Sequence, residues 1–252
     1  MIAEAELKSN HEICLELLDK FLEVCDKYDI EYRMAFGSCL GAVRHKGFIP
    51  WDINIDVLLT VPEFRKLDEA FRSEDLGDLE WGMPDGSARM YPLLRKKGTW
   101  EVHHTNPNLD VSVYGGAPKG KLHKKFVIRM AYFNRKMFKL KTTKVKRRFP
   151  YNILKGIASV FPLSFYMKRV RKLERVGTRK NTDGYFVITP SVWKDRESIE
   201  QDWVGTEPVY AEFEGRKVRI LKNYDAYLTR RYGNWKTPKV WEDKGEFHHA
   251  KK

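Results

Sequence analysis

Between Phe36 and Asp56 the chain reads FGSCLGAVRHKGFIPWDINID. Oxygen-bearing side chains stand at every second position of its last segment: Asp52, Asn54 and Asp56. Side chains alternate across a strand, so these three share one face while Ile53, Ile55 and Val57 point to the core. A sheet edge lined with oxygen ligands suits a hard cation such as Mg2+ or Mn2+. Upstream, Gly37 and Ser38 at a strand-to-helix turn offer backbone N–H groups to a phosphate. The basic cluster Arg44, His45 and Lys46 suits substrate or phosphate contact, or an ordinary exposed turn. Cation plus phosphate points to phosphoryl or nucleotidyl transfer.

The elements that must position these groups follow from periodicity. Ser9-Asn10-His11-Glu12 reads as a capping box, opening a helix through Leu17, Leu18, Phe21, Leu22 and Cys25 to about Tyr28; it is expected to serve as packing only. Tyr32–Phe36 reads as the first core strand, 39–45 as a short helix, 47–51 as a turn and 52–58 as the second strand. Pro62 suits the first turn of a helix to about Phe71, and 77–87 reads as loop. Strands are expected over 90–96 and 109–114. Asp110, in the alternating Leu-Asp-Val-Ser-Val run, would bring a further carboxylate from a second strand, as ligand or as proton acceptor. Arg95 and Lys96 end the strand before it and reach either a phosphate or solvent. Trp51 is a base-stacking candidate or a wedge. Residues 210–214 and 217–221 flank Gly215-Arg216 as a hairpin, and a helix over 223–232 follows. His103, His104 and the remaining histidines are read as surface residues, and His248-His249 as a terminal pair that either closes over the site or hangs free.

The block GSCLGAVRHKGFIPWDINID resembles the LicD and fukutin-related phosphotransferases, a branch of the nucleotidyltransferase superfamily. Weaker echoes are Asn108-Leu-Asp-Val-Ser-Val, Phe213-Glu-Gly, Tyr224-Asp-Ala-Tyr-Leu and Arg231-Tyr-Gly. The resemblance implies Mg2+ (or Mn2+) held by Asp52, Asn54, Asp56 and Asp110, with Asp56, Asp110 and Asp52 carrying the catalysis. It implies a CDP-activated alcohol as donor, such as CDP-choline or CDP-ribitol, and a hydroxyl of a glycan or lipid-linked oligosaccharide as acceptor. Ile53 and Asn54 stand where the family pattern has Asp. Two unit charges 4 Å apart interact by about 4 kcal/mol at an effective dielectric near 20, so losing one carboxylate weakens a cation site. A catalytically degenerate nucleotide- or glycan-binding homologue is therefore the alternative reading.

Charge is unevenly placed. The whole chain carries +13, yet residues 119–180 hold 21 Lys or Arg against one acid, Glu174. Two or three basic helices are expected there, interrupted at Pro150 and Pro162, with an apolar stretch over 153–167 suited to a membrane interface. Such a segment seeks an anionic surface, with Lys146, Arg147 and Arg148 as the docking candidates. A basic membrane-surface module is thus a further alternative. No nucleic-acid motif accompanies the charge. No apolar run approaches the ~20 residues of a transmembrane helix, the N-terminus lacks signal-peptide features, and Cys14, Cys25 and Cys39 read as buried free thiols of a reducing compartment. The expected place is the cytoplasm, at the inner membrane face.

The fold expected is α/β: a nucleotidyltransferase-like mixed sheet with flanking helices. Its organisation is a catalytic core over 1–118, a basic helical insertion over 119–180, and a hairpin, helix and tail over 181–252 completing the core.

Overall fold

Leu17, Leu18, Phe21, Val24 and Cys25 recur at helical spacing and are fully buried on one stripe of α1 (Glu4–Lys27). The structure, a computed structural model, describes residues 4–83, 89, 91–99, 106–118, 120–142, 149, 151–177, 182–187, 198–205 and 207–237. Helix α1 begins ahead of Ser9, so the expected capping box lies inside it, and its first turn carries Glu4 and Glu6 instead. Acidic residues there complement the helix dipole.

The sheet is built around one parallel pair. β2 (Asn54–Thr60) lies beside β5 (Asn108–Pro118), with Asp56 opposite Asp110 and Asn54 opposite Asn108. Every other pairing among the described residues is antiparallel. β1 (Arg33–Met34) flanks β2, and β4 (Leu93–Lys96) then β3 (Leu79–Gly82) extend from the first half of β5. β6 (Thr182–Val187) and β7 (Ser198–Ile199) extend from its second half. Among the described residues the result is a mixed α/β sheet of seven strands, in keeping with the expected nucleotidyltransferase-like class. Ile55, Val57, Leu109, Val111 and Val113 form its dry face.

Three local readings are corrected. Phe36 is not in the first strand: the Ala35 N–H bonds the Asp56 carbonyl at 2.8 Å, and Phe36, at φ 44°, opens α2 (Phe36–His45). The acidic strand starts at Asn54, leaving Asp52 in the preceding turn. β3 falls inside the expected loop 77–87, because four residues carry little alternation and their pairing to β4 is long-range. β6, β7 and the short α7 (Gln201–Val204) had no sequence assignment; they take their form from the far half of β5.

Other elements lie where their end signals put them. Thr60 caps α3 (Val61–Ser73), accepting from the Glu63 N–H, with Pro62 in the first turn. The basic stretch forms α4 (Lys121–Thr142), α5 (Tyr151–Val160) and α6 (Leu163–Gly177), with Pro162 between the last two; Pro150 lies outside the described residues. β8 (Val209–Phe213) and β9 (Arg216–Ile220) form a separate hairpin. Its turn is Glu214-Gly215, both at positive φ (49° and 75°), rather than Gly215-Arg216. Such a turn matches the strand twist. Asn223 caps α8 (Tyr224–Tyr232) by accepting from the Ala226 N–H at 3.2 Å. No helix among the described residues is long and apolar enough to cross a membrane.

The hairpin locks the turn between α2 and β2. The Glu214 N–H bonds the Lys46 carbonyl at 2.7 Å, the Glu214 carboxylate accepts the Phe48 N–H at 3.1 Å, and Phe213 meets the Phe48 ring edge-on. A Cβ on Gly47 would fall 2.0 Å from Glu214 Oε1 and push that carboxylate off the Phe48 N–H. Sequence-distant motifs, Gly47-Phe48 and Phe213-Glu214-Gly215, thus form one contact.

Candidate active site

Asp56 is clamped through its backbone. Its carbonyl accepts from the Ala35 N–H, and its N–H donates to Ser38 Oγ at 2.8 Å. Both bonds come from the corner where β1 turns into α2, so the helix start and the acidic strand are fixed to each other. Ser38 is buried and its oxygen is engaged with the strand, which makes it a fastener of the site. Gly37 leaves room for a carboxylate: a Cβ there would lie 2.3 Å from Asp52 Oδ2. Asp52 is held from behind by α1, where the His11 ring bonds its carbonyl at 2.7 Å and stacks on Phe48 at 4.0 Å, while the Cys14 thiol donates to the Ile53 carbonyl at 3.1 Å. Helix α1, expected as packing alone, therefore sets the entry to the acidic strand, and His11 is not a plain surface residue.

Register partners on adjacent strands share a face about 4.8 Å apart, so Asp56 and Asp110 are neighbours. Asn54 and Asn108 form the next row. Burial raises the Asp56 carboxyl well above its usual range, and the charges of Asp110 and Asp52 push it further; Arg231 and a hydrogen bond from Asn54 oppose this. Burial likewise lifts Asp52 to about 6, against hydrogen bonds from the Asn54 and Ile53 N–H groups. Asp110 forms an ion pair with Arg89 at 2.7 Å.

The fit to a divalent cation can be judged from these groups. Among the described residues no three His, Cys, Asp or Glu side chains are grouped to hold a metal by themselves. That is not what Mg2+ requires: it binds through one or two carboxylates plus substrate phosphates and keeps several waters. Two mutually repelling carboxylates with an amide beside them, the Gly37 hollow, and the buried Asn108 Oδ1 without a hydrogen-bond partner make a donor set that suits such a cation. Asp110 would exchange Arg89 for it.

The basic candidates separate. Arg44, His45 and Lys46 end α2 or follow it, roughly 12 Å along the helix from Gly37 at 1.5 Å per residue. There Arg44 donates to the Trp235 carbonyl and Lys46 pairs with Glu212, at the other end of α2 from Gly37 and Ser38. Lys96 lies on the opposite, α1-covered face, paired with Glu16 and Asp78. Arg95 is on the carboxylate face, tied to Glu80 at 2.6 Å. Trp51 is 40% exposed. Lys146, Arg147, Arg148, His103, His104, His248 and His249 lie outside the described residues.

Sequence reasoning missed the contribution of α8. Tyr227 Oη accepts the N–H of Phe36, and Arg231 lies over the Phe36 ring at 4.1 Å and donates to Tyr232 Oη. Arg231 acts electrostatically on Asp56, and Tyr232, pushed up to about 12 by burial, feels Asp56 and Asp52 as well. The Arg-Tyr-Gly echo was the available signal, but its place beside the carboxylates is a tertiary fact. Backbone strain of the Phe36 kind concentrates at functional sites.

Residues 29–160, slightly over half the chain, match the family model described as LicD/FKTN/FKRP, nucleotidyltransferase domain. A curated relative, the lipopolysaccharide cholinephosphotransferase LicD of Haemophilus influenzae, is 24% identical over 258 aligned positions, covering 96% of each chain.

The raised carboxyl groups predict a pH signature. A carboxyl whose folded pKa exceeds its unfolded one is protonated preferentially in the folded state, so stability falls as pH rises from about 4 through 6. A cation relieves this only once the carboxylates ionise. Thermal unfolding should show millimolar Mg2+ raising Tm by about 3 °C or more at pH 7.5 and hardly at all at pH 5; an equal shift at both would contradict the assignment.

Proposed function

The chain belongs to the LicD/FKTN/FKRP nucleotidyltransferase-domain family, and from that premise we propose that it transfers a phospho-alcohol, phosphocholine in the first instance, from a CDP-activated donor to a hydroxyl of a surface glycan or lipid-linked oligosaccharide. The observation that carries this reading is the pairing of Asp56 with Asp110 on a parallel ladder, beside a helix start, in a chain aligned over 96% of its length with a cholinephosphotransferase.

In this reading the acceptor oxygen attacks the phosphorus that bears the alcohol. The new P–O bond forms as the bond to the bridging oxygen breaks, and CMP leaves with that oxygen. The acceptor proton passes to a carboxylate, for which Asp110 is the candidate once Arg89 has turned to the incoming phosphates. Asp56, Asn54 and Asp110, with Asp52 behind Gly37, would hold Mg2+, which when bound neutralises charge on the diphosphate. Arg231 would contact the same phosphates from α8, holding them against the N–H groups of α2.

A second reading, a nucleotide or glycan binder without turnover, is favoured by one feature: Asn54 already hydrogen-bonds Asp56 and brings no charge to the cation. CMP release from CDP-choline and CDP-ribitol with a glycan acceptor separates the two. Asp56→Ala should reduce turnover roughly a thousandfold, the equivalent of about 4 kcal/mol. Wild-type turnover that survives Asp56→Ala unchanged would overturn the assignment of the site to Asp56. Turnover absent in the natural chain and created by Asn54→Asp would make it the binder.

Arg231 has its own test. Arg231→Gln should raise KM for the CDP donor about tenfold or more while leaving KM for the acceptor in place; an unchanged donor KM would remove Arg231 from the site.

A further inference from the structure

Helix α5 presents its apolar side to water. Ile153, Ile157 and Val160 recur at four- and three-residue spacing with exposures of 56, 48 and 77%, and Phe149 precedes them at 80%. The opposite side of the helix is already used: Ala158 is fully buried, its carbonyl accepts from Tyr166 Oη of α6 at 2.9 Å, and the Ser159 carbonyl accepts from Lys141 of α4 at 3.2 Å. The stripe is therefore not the helix's core face. On α4, exposed Phe126 and Phe133 alternate with exposed Arg129 and Lys136 at the same spacing. Residues 119–180 carry 21 Lys or Arg and one Glu.

We propose that α5 and the exposed face of α4 form a membrane-docking surface that inserts the Ile153–Ile157–Val160 stripe into the headgroup boundary of an anionic bilayer. Charge complementarity names the occupant. Two copies paired through this same face would set one strongly cationic segment against another, which repels. A single-stranded nucleic acid would stack on aromatics but leaves aliphatic side chains without a partner. A lipid interface takes both: apolar groups enter the acyl boundary while the Lys and Arg heads stay with the phosphates. Helix α5, at ten residues, lies on such a surface and does not span it. Docking at that place goes beyond the transfer chemistry and does not depend on it.

The test uses the full chain and no substrate. Co-sedimentation with phosphatidylcholine vesicles containing 30% phosphatidylglycerol is expected, with little binding to phosphatidylcholine alone. The triple variant Ile153→Ser, Ile157→Ser, Val160→Ser should weaken binding about tenfold or more with an unchanged circular dichroism spectrum. The native cysteines Cys14, Cys25 and Cys39 are buried, so Val160→Cys can carry a polarity-sensitive fluorophore, whose emission should shift to the blue on anionic vesicles. Unchanged binding in the triple variant, no blue shift, displacement of vesicles by equimolar single-stranded RNA, or a stable dimer that the triple variant abolishes would each overturn the proposal.

Discussion

Two hydrogen bonds on the backbone of Asp56 hold the site together. Ala35 donates to its carbonyl and Ser38 Oγ accepts its N–H, and neither bond can form unless β1 ends abruptly and α2 starts at once. That requirement explains Phe36 at φ 44°, a conformation that needs outside support. The support comes from α8, through Tyr227 on the Phe36 N–H and Arg231 over its ring. A helix more than 180 residues away in sequence thereby stabilises the corner and lends a positive charge beside Asp56. Structure and electrostatics meet in one contact.

The same logic runs through the turn after α2. His11 and Cys14 fix the carbonyls of Asp52 and Ile53 from α1, and Glu214 fixes the N–H of Phe48 from the hairpin. Each bond satisfies a backbone group that a buried turn would otherwise leave unpaired, which is unfavourable by about 1–3 kcal/mol apiece. Glycines mark the closest approaches: Gly37 under Asp52, Gly41 under the Gly47 carbonyl and Gly47 under Glu214. The short motifs are thus contact surfaces for one another as well as carriers of chemistry.

What could be read from the sequence was local. The alternation of Asn54, Asp56 and their apolar neighbours placed β2 and its carboxylate face; the Leu109–Val113 alternation did the same for Asp110. Pro62, Asn223 and the Gly215 turn located two helices and a hairpin through backbone chemistry that needs no partner. What escaped was tertiary. Asp52 left the strand because α1 anchors the preceding turn. Lys96 faced away because the register of β4 on β5 put it with Leu109, and register is invisible in a single strand. Arg231 was passed over because nothing local tells a helical arginine which element it will meet. Arg44, His45 and Lys46 looked adjacent to Gly37 in sequence, but a helix of ten residues carries them to its other end.

In the proposed transfer, Asp56 and Asp110 share one cation that also holds the donor diphosphate. Phosphorus NMR of CDP-choline with the protein and substoichiometric Mn2+ tests it directly, since paramagnetic broadening of the phosphorus lines falls steeply with distance. Strong broadening of both diphosphate resonances in the wild type, lost in both Asp56→Asn and Asp110→Asn, is the predicted result. Broadening that persists in both variants, or never exceeds that of free Mn2+–nucleotide, would contradict it.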